Sequence, residues 1–527
     1  MKKNYTGRAF RMALLLGASF AAPGLFTAAH AQVTESGDIT TPINTSTADN
    51  GSAADVILDG TITVEEGTAV SVDSDNTFTN NGAITVNASD DSVGVLLGAG
   101  FSGGFANSGT ITMDRTQEQE DEANDSVAPV DFADNRTAIL VQGSGTFTGD
   151  ITLTSTSQVT VFGDMSAGLG IVGDLVGETQ IDGDFTIRGA DSQAVSIMGE
   201  MLGDLTFGSA SSLNVEGVGS TGVLVAGDID GAFIFGGSVQ VTGYTDLTPD
   251  ADDEVANVIQ AGQQGGAGIK VSGDISGGLL INGAVPDGQL PETGEGEEEI
   301  LNPVAATVTS FGGSPAVLVS GAILGNVNTS DLVDPATYGS FGFVNRGVLT
   351  AQGIYDGIDT FASIFENSNL TDGLRNDGTI RSASVNADAV SVLINNTSAP
   401  SVFSGGVVET QARGTAQDGD APFAAIGILI QGTSAVNAVT NAGVINTVLT
   451  SDSGEAVGVR DETGSVVSFI NRGVVAARSL DDLATDNVEG DDPVATIAYD
   501  FSANTSGISI TNTVSDTLSG NLADRAN

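Results

Sequence analysis

The chain of 527 residues carries 67 acidic against 16 basic residues, with no Cys, no Trp and one His. That balance excludes sequence-independent phosphate binding, which needs clustered Lys and Arg, and it disfavours adsorption to anionic lipid. Without Cys there are no disulfides, so an exported fold of this composition must draw its core from Val, Ile, Leu and Phe.

In chain order, residues 1–31 read as a secretory signal peptide. Lys2, Lys3, Arg8 and Arg11 make a basic start, Met12 to Phe20 is apolar, and Ala29-His30-Ala31 supplies a small-x-small cleavage site. The apolar run stops at Pro23-Gly24 and falls short of the roughly 20 residues a membrane span needs. Removing this leader takes four of the 16 basic residues and none of the 67 acidic ones, leaving 12 against 67, a formal charge of −55. The only histidine, His30, leaves with it, and Lys270 remains as the only lysine. So acidic a chain suggests disorder, but an apolar fraction of 40% with regular Val/Ile spacing argues for a folded protein.

Residues 32–54 are polar and read as a lead-in or N-terminal cap. Residues 55–520 read as one elongated repeat domain, and 521–527 end it abruptly, as expected of a chain that continues or of a fraying last coil. The repeat is clearest over 168–243. There, Gly173-Asp174, Gly199-Glu200 and Gly227-Asp228 recur at steps of 26 and 28 residues, each after a short alternating apolar run. A period in the twenties built of short strands is the mark of a solenoid. Only 355–366 (YDGIDTFASIFE) comes near a helical pattern, and it is not convincing enough to expect a helical turn there over a strand.

Two motifs run along the domain. The first is a small residue leading an apolar alternation: AVSV at 69–72, AILV at 138–141, GVLV at 222–225, GIKV at 268–271, AVGV at 456–459. The second is apolar-x-Asn-x-Gly-x-apolar, as in FTNNGAI (78–84), FVNRGVL (343–349) and FINRGVV (469–475). Asn and Gly tolerate positive φ and suit a corner between two strands. Stacking would place successive asparagines about 4.8 Å apart. About thirteen coils and a rod of about 60 Å follow. Long connections at 114–136, 244–264, 285–303 and 479–492 hold 8, 5, 6 and 6 acidic residues. They are expected to project from one edge.

The leader, the Gly/Ser/Thr/Asn/Val-rich coils, the recurrent N-x-G-x-[IV], the missing Cys and the scarce Lys resemble autotransporter passenger domains (type V secretion) of Gram-negative bacteria. The resemblance spans nearly all of residues 32–520. It implies an all-β fold, a right-handed parallel β-helix displayed at the cell surface or outer membrane, or secreted, with acidic loop insertions on one edge. It also implies a C-terminal outer-membrane β-barrel as partner. No barrel-type strands with aromatic girdles follow the coils, so that barrel is expected in a longer chain or as a separate protein.

Beyond the leader, the absence of His and Cys excludes Ser-His-Asp and Cys-His catalysis and His or Cys zinc sites. A Ser–Lys pair has only Lys270, whose alternating position reads as outward display. Paired carboxylates acting on polysaccharide are the remaining enzymatic alternative. No catalytic residue and no required cofactor is assigned. Asp174, Glu200, Asp228 and Asp274 share one turn of the repeat. If they stack, they are candidate Ca²⁺ ligands, against the plainer reading of solvated Gly-Asp turns. The expected role is non-catalytic, as an adhesin contacting a host, cell or matrix surface or as a surface coat, with no nucleic-acid partner.

Overall fold

In the computed structural model the described residues are 31–87, 89–114, 133–243, 265–284, 304–327, 340–354, 356–414, 422–451, 453–480 and 495–513. Residues 1–30 and the acidic connections lie almost wholly outside them. Strands rise in rotation through three parallel sheets of 15, 14 and 14 strands, with short extra strands between the third and first sheets in some coils, so fourteen full coils and the first strand of a fifteenth are present. The architecture is a right-handed parallel β-helix. It holds one coil more than the repeat count from sequence, because residues 31–54 are themselves a coil. Their strands Gln32–Glu35, Asp38–Ile39 and Ile43–Asn44 pair with Asp55–Leu58, Thr61–Val64 and Thr68–Val72. The stretch nearest to a helical pattern, 355–366, holds the third-sheet strand Thr360–Glu366, so no helix forms there. It lies between Val317–Ser320 and Ala389–Asn395, which take up its backbone groups and override a weak local preference.

The core is a stack of like on like. One inward column of the second sheet runs from Ile62 through Ile111, Phe185 and Val308 to Val475, with every one of these five at most 1% exposed. Full burial of such a side chain contributes about 1.5–3 kcal/mol, and the column repeats at every coil. From Thr360 onward the strands lengthen to six to nine residues in the second and third sheets. The added width holds a second apolar compartment of Ala389, Ala412, Ala425, Leu449, Ala456 and Ala477. A seam of buried hydroxyls divides it from the main core: Ser391 Oγ lies 2.6 Å from Thr410 Oγ1 and 3.1 Å from Ser382 Oγ.

Both sequence motifs have a steric cause. In the third sheet a small residue falls where the coil-to-coil pairing skips one position, and it and the next residue both turn inward: the leading residue of the first motif at Ala69 and Ala138, the residue two further on at Ser391, Gly427 and Gly458. A Cβ on Gly168 would stand 2.5 Å from the ring of Phe185, and one on Gly458 2.3 Å from the Ala498 carbonyl. In the second motif, Asn80, Asn107, Asn345, Asn376, Asn441 and Asn471 are buried. Their amides bond from coil to coil: Asn80 Nδ2 to Asn107 Oδ1 at 2.7 Å, Asn345 to Asn376 and Asn441 to Asn471 at 2.8 Å. Between the two runs, Leu153, Ile181, Phe207, Phe235 and Ile281 hold the same register, so the middle of the rod is apolar there. The glycine of the motif does not use positive φ, as the corner reading expected. It is required because a Cβ on Gly82, Gly378, Gly406 or Gly443 would come within 1.9–2.1 Å of the carbonyl oxygen of the glycine one coil below.

The single insertion edge holds for three of the four acidic connections. Residues 115–132, 244–264 and 481–494 each follow a second-sheet strand and precede a third-sheet strand. The segment 285–303 instead follows the first-sheet strand Leu279–Ile281 and precedes the second-sheet strand Thr307–Phe311. It therefore leaves the rod at the neighbouring corner. At the shared corner, Arg136 is fully buried. Its guanidinium donates to the carbonyls of Val86, Asn87, Asp114 and Phe162 and to Ser92 Oγ. Burial pushes it below the usual arginine value, while the charges of Asp114 and Asp90 oppose that shift.

Candidate functional site

Asp174, Glu200, Asp228 and Asp274 form one column. They immediately precede Leu175, Met201, Ile229 and Ile275, whose buried side chains fix the turn, and whose backbones pair from coil to coil. All four carboxylates face solvent. Asp174 Oδ1 accepts the Glu200 N–H at 3.2 Å, Asp228 Oδ1 the Asp274 N–H at 2.9 Å, and Asp274 Oδ1 the Ile323 N–H at 2.8 Å. The same device recurs at other corners, where Asp164, Asp204 and Asp388 accept from Ala190, Ala232 and Ala424 at 2.6, 2.8 and 2.7 Å. Where the chain turns and the sheet ladder breaks, a corner carboxylate takes the N–H left over from the next coil, which is costly to leave unpaired. The stacking read from the Gly-Asp spacing is present, and its chemistry is that of a backbone acceptor. No group of three or more His, Cys, Asp or Glu converges in a metal-holding arrangement among the described residues.

Lys270 sits half-buried on the outward side of the strand Ile269–Val271, in register between Leu224 and Leu318. The EGEEE run at 295–299 lies outside the described residues.

A long groove of about 600 Å³ follows the corner over Gly37, Gly60, Gly82 and Gly109. Its wall is self-satisfied: Asn81 Nδ2 donates to Asp59 Oδ1 at 2.9 Å and Ser108 Oγ to Asn81 Oδ1 at 2.8 Å. A second groove, of about 210 Å³, lies on the outward face of the second sheet between Arg381 and Arg413. Ala383 forms its floor, in register between Gln352 and Gln411. Arg413 has no ion-pair or hydrogen-bond partner for its guanidinium among the described residues, and the side-chain amides of both glutamines are likewise free there. Arg381 approaches Glu409 only to 3.8 Å, with both side chains 40% exposed or more, a contact worth little in water.

This groove was not foreseen from sequence, although a signal existed. Seven of the 12 basic residues beyond residue 31 lie from Arg346 to Arg478. What sequence lacks is the register that puts Arg381 and Arg413 on one face. Comparison with protein-family models, curated proteins and solved structures finds no match. Among the described residues no helix is long and apolar enough to cross a membrane, which says nothing of a β-barrel.

Proposed function

We propose that this chain is an exported, non-catalytic surface rod, an autotransporter-like passenger acting in adhesion or as a coat. The observation that carries the reading is an unbroken β-helix of fourteen coils whose corner carboxylates face solvent. Such a rod extends about 65 Å at one strand spacing per coil, and gives a large lateral surface for its length. The leader-like residues 1–31 support export. The missing His and Cys beyond the leader support a non-catalytic role, and the acidic surface disfavours nucleic acid as partner. An outer-membrane β-barrel, in the same longer chain or separate, would carry the rod outward, and a host, cell or matrix surface would be its contact. No cofactor is required by this reading, and Ca²⁺ on the Asp174 column remains the one metal worth testing.

The test is an epitope tag placed within 285–303, read by antibody on intact Gram-negative cells. Surface labelling that vanishes on deleting residues 2–31 is expected. A tag reached only after the envelope is opened, with the chain folded and stable, would refute surface display. Deleting 285–303 separates adhesin from coat: an adhesin using that segment loses attachment at unchanged melting temperature.

A further inference from the structure

We infer that the groove between Arg381 and Arg413 binds a linear acidic oligosaccharide, its carboxylates held by the two guanidiniums and its hydroxyls by Gln352 and Gln411. This rests on the surface-contact reading and names the ligand class for it.

The geometry begins with register. Arg381 pairs with Glu409 on the neighbouring strand, and Arg413 lies four residues further along that strand on the same outward face. Four residues of strand and one strand spacing separate the two Cα atoms by about 14 Å. A ligand bridging them is therefore extended and carries anions well apart. A single small anion would meet both arginines only if the two side chains turned toward each other across the notch. Between the arginines, the small Ala383 leaves a notch flanked by two primary amides. Each amide offers both donor and acceptor, as a row of sugar hydroxyls requires, and Thr350 adds a hydroxyl at the rim.

The charges point the same way. On a chain this acidic a guanidinium with no partner among the described residues is the exception, and guanidinium matches carboxylate with two parallel hydrogen bonds. Among the described residues Glu409 is the carboxylate beside the groove, and it works against an anion there. Arg478 continues the basic face two strands on, in the register of Gln411 through Val448.

The experiment is calorimetric titration of the purified chain with hexagalacturonate at low ionic strength. Maltohexaose serves as the neutral control and a synthetic peptide of residues 292–303 as an acidic protein-like one. Binding of the uronate hexamer alone is expected. It should weaken roughly tenfold or more in R381Q/R413Q, as for lost charge-assisted hydrogen bonds, tighten in E409Q, and stay within about twofold in R478Q. It should also fade at high salt. Circular dichroism and melting of each variant show that the fold is intact. No binding by the folded wild type, or equal binding by R381Q/R413Q, overturns the assignment. Tighter binding of the peptide also overturns it, in favour of contact with another copy's insertion. Because the titration uses purified protein, its outcome is independent of where the chain resides in the cell.

Discussion

The glycines at the corner between the first and second sheets make a graded test of what holds the coils together. Gly37, Gly60, Gly82 and Gly109 occupy one register, and Gly347, Gly378, Gly406, Gly443 and Gly473 resume it. A Cβ on Gly443 would stand 2.0 Å from the Gly406 carbonyl oxygen, whereas contacts under 3.0 Å are essentially never seen. Gly443→Ala must therefore lift its corner by about 1 Å, the difference between those distances. That shift breaks or badly stretches Gly443 N–H to Ser404 O at 3.0 Å and Val444 N–H to Gly406 O at 2.9 Å. Two backbone hydrogen bonds at about 1 kcal/mol each, plus overpacking of about 1–3 kcal/mol, put the cost near 3–5 kcal/mol. Gly37 holds the same register in the first coil, where a Cβ meets nothing within 4 Å and φ is not left-handed. Gly37→Ala is expected to fall within about 0.5 kcal/mol of wild type. Gly67 provides the third case: open space but φ of +78°, so its alanine variant costs about 1 kcal/mol through the backbone alone. Urea unfolding, with hydrogen exchange read over Val444–Thr450, ranks the three. Equal stability of Gly443→Ala and Gly37→Ala would refute the close-approach argument. So would a Gly67→Ala variant as damaged as Gly443→Ala.

Three further outcomes are expected. Arg136→Leu takes a buried donor from four corner carbonyls, of which that of Val86 keeps the Asp114 N–H, and should cost about 3 kcal/mol in urea unfolding, while Arg136→Lys recovers only part, since an ammonium cannot span the same acceptors. Asp388 is held above the usual aspartate value, first by burial and then by the charges of Asp359 and Glu455, against the Ala424 N–H. A carboxyl raised in the fold destabilises it once ionised, so the penalty grows as pH rises from the unfolded value through the folded one. Asp388→Asn should therefore melt higher than wild type at neutral pH and equally at about pH 3, below the ordinary aspartate range. A difference that persists in acid would remove ionisation as its cause. Asp228→Asn keeps an oxygen for the Asp274 N–H and should melt as wild type, whereas Asp228→Ala should lose about 1 kcal/mol or more. Millimolar Ca²⁺ is expected to leave both wild type and Asp228→Asn unmoved. A rise confined to wild type would assign the column to a cation.

What sequence alone determined is what repeats locally. Alternation in runs such as GTITV and AVSV specifies short strands with one buried face, because side chains on a strand alternate sides. The 26- and 28-residue steps specify stacking, and from stacking follow the asparagine ladder and the aligned Asp174, Glu200, Asp228 and Asp274. Tertiary structure alone decided everything that depends on what lies one coil away. The glycine of N-x-G reads as a turn residue by its own preference, yet it is demanded by the carbonyl beneath it, about 30 residues distant in the chain. The exit of 285–303 depends on which sheet Leu279–Ile281 joins, and three apolar residues look alike in any of the three. Arg381 and Arg413 become one site only through the pairing of their strands. Position along a strand is written in local sequence, whereas the contacts that give a residue its role run across coils, between residues 22 to 69 apart.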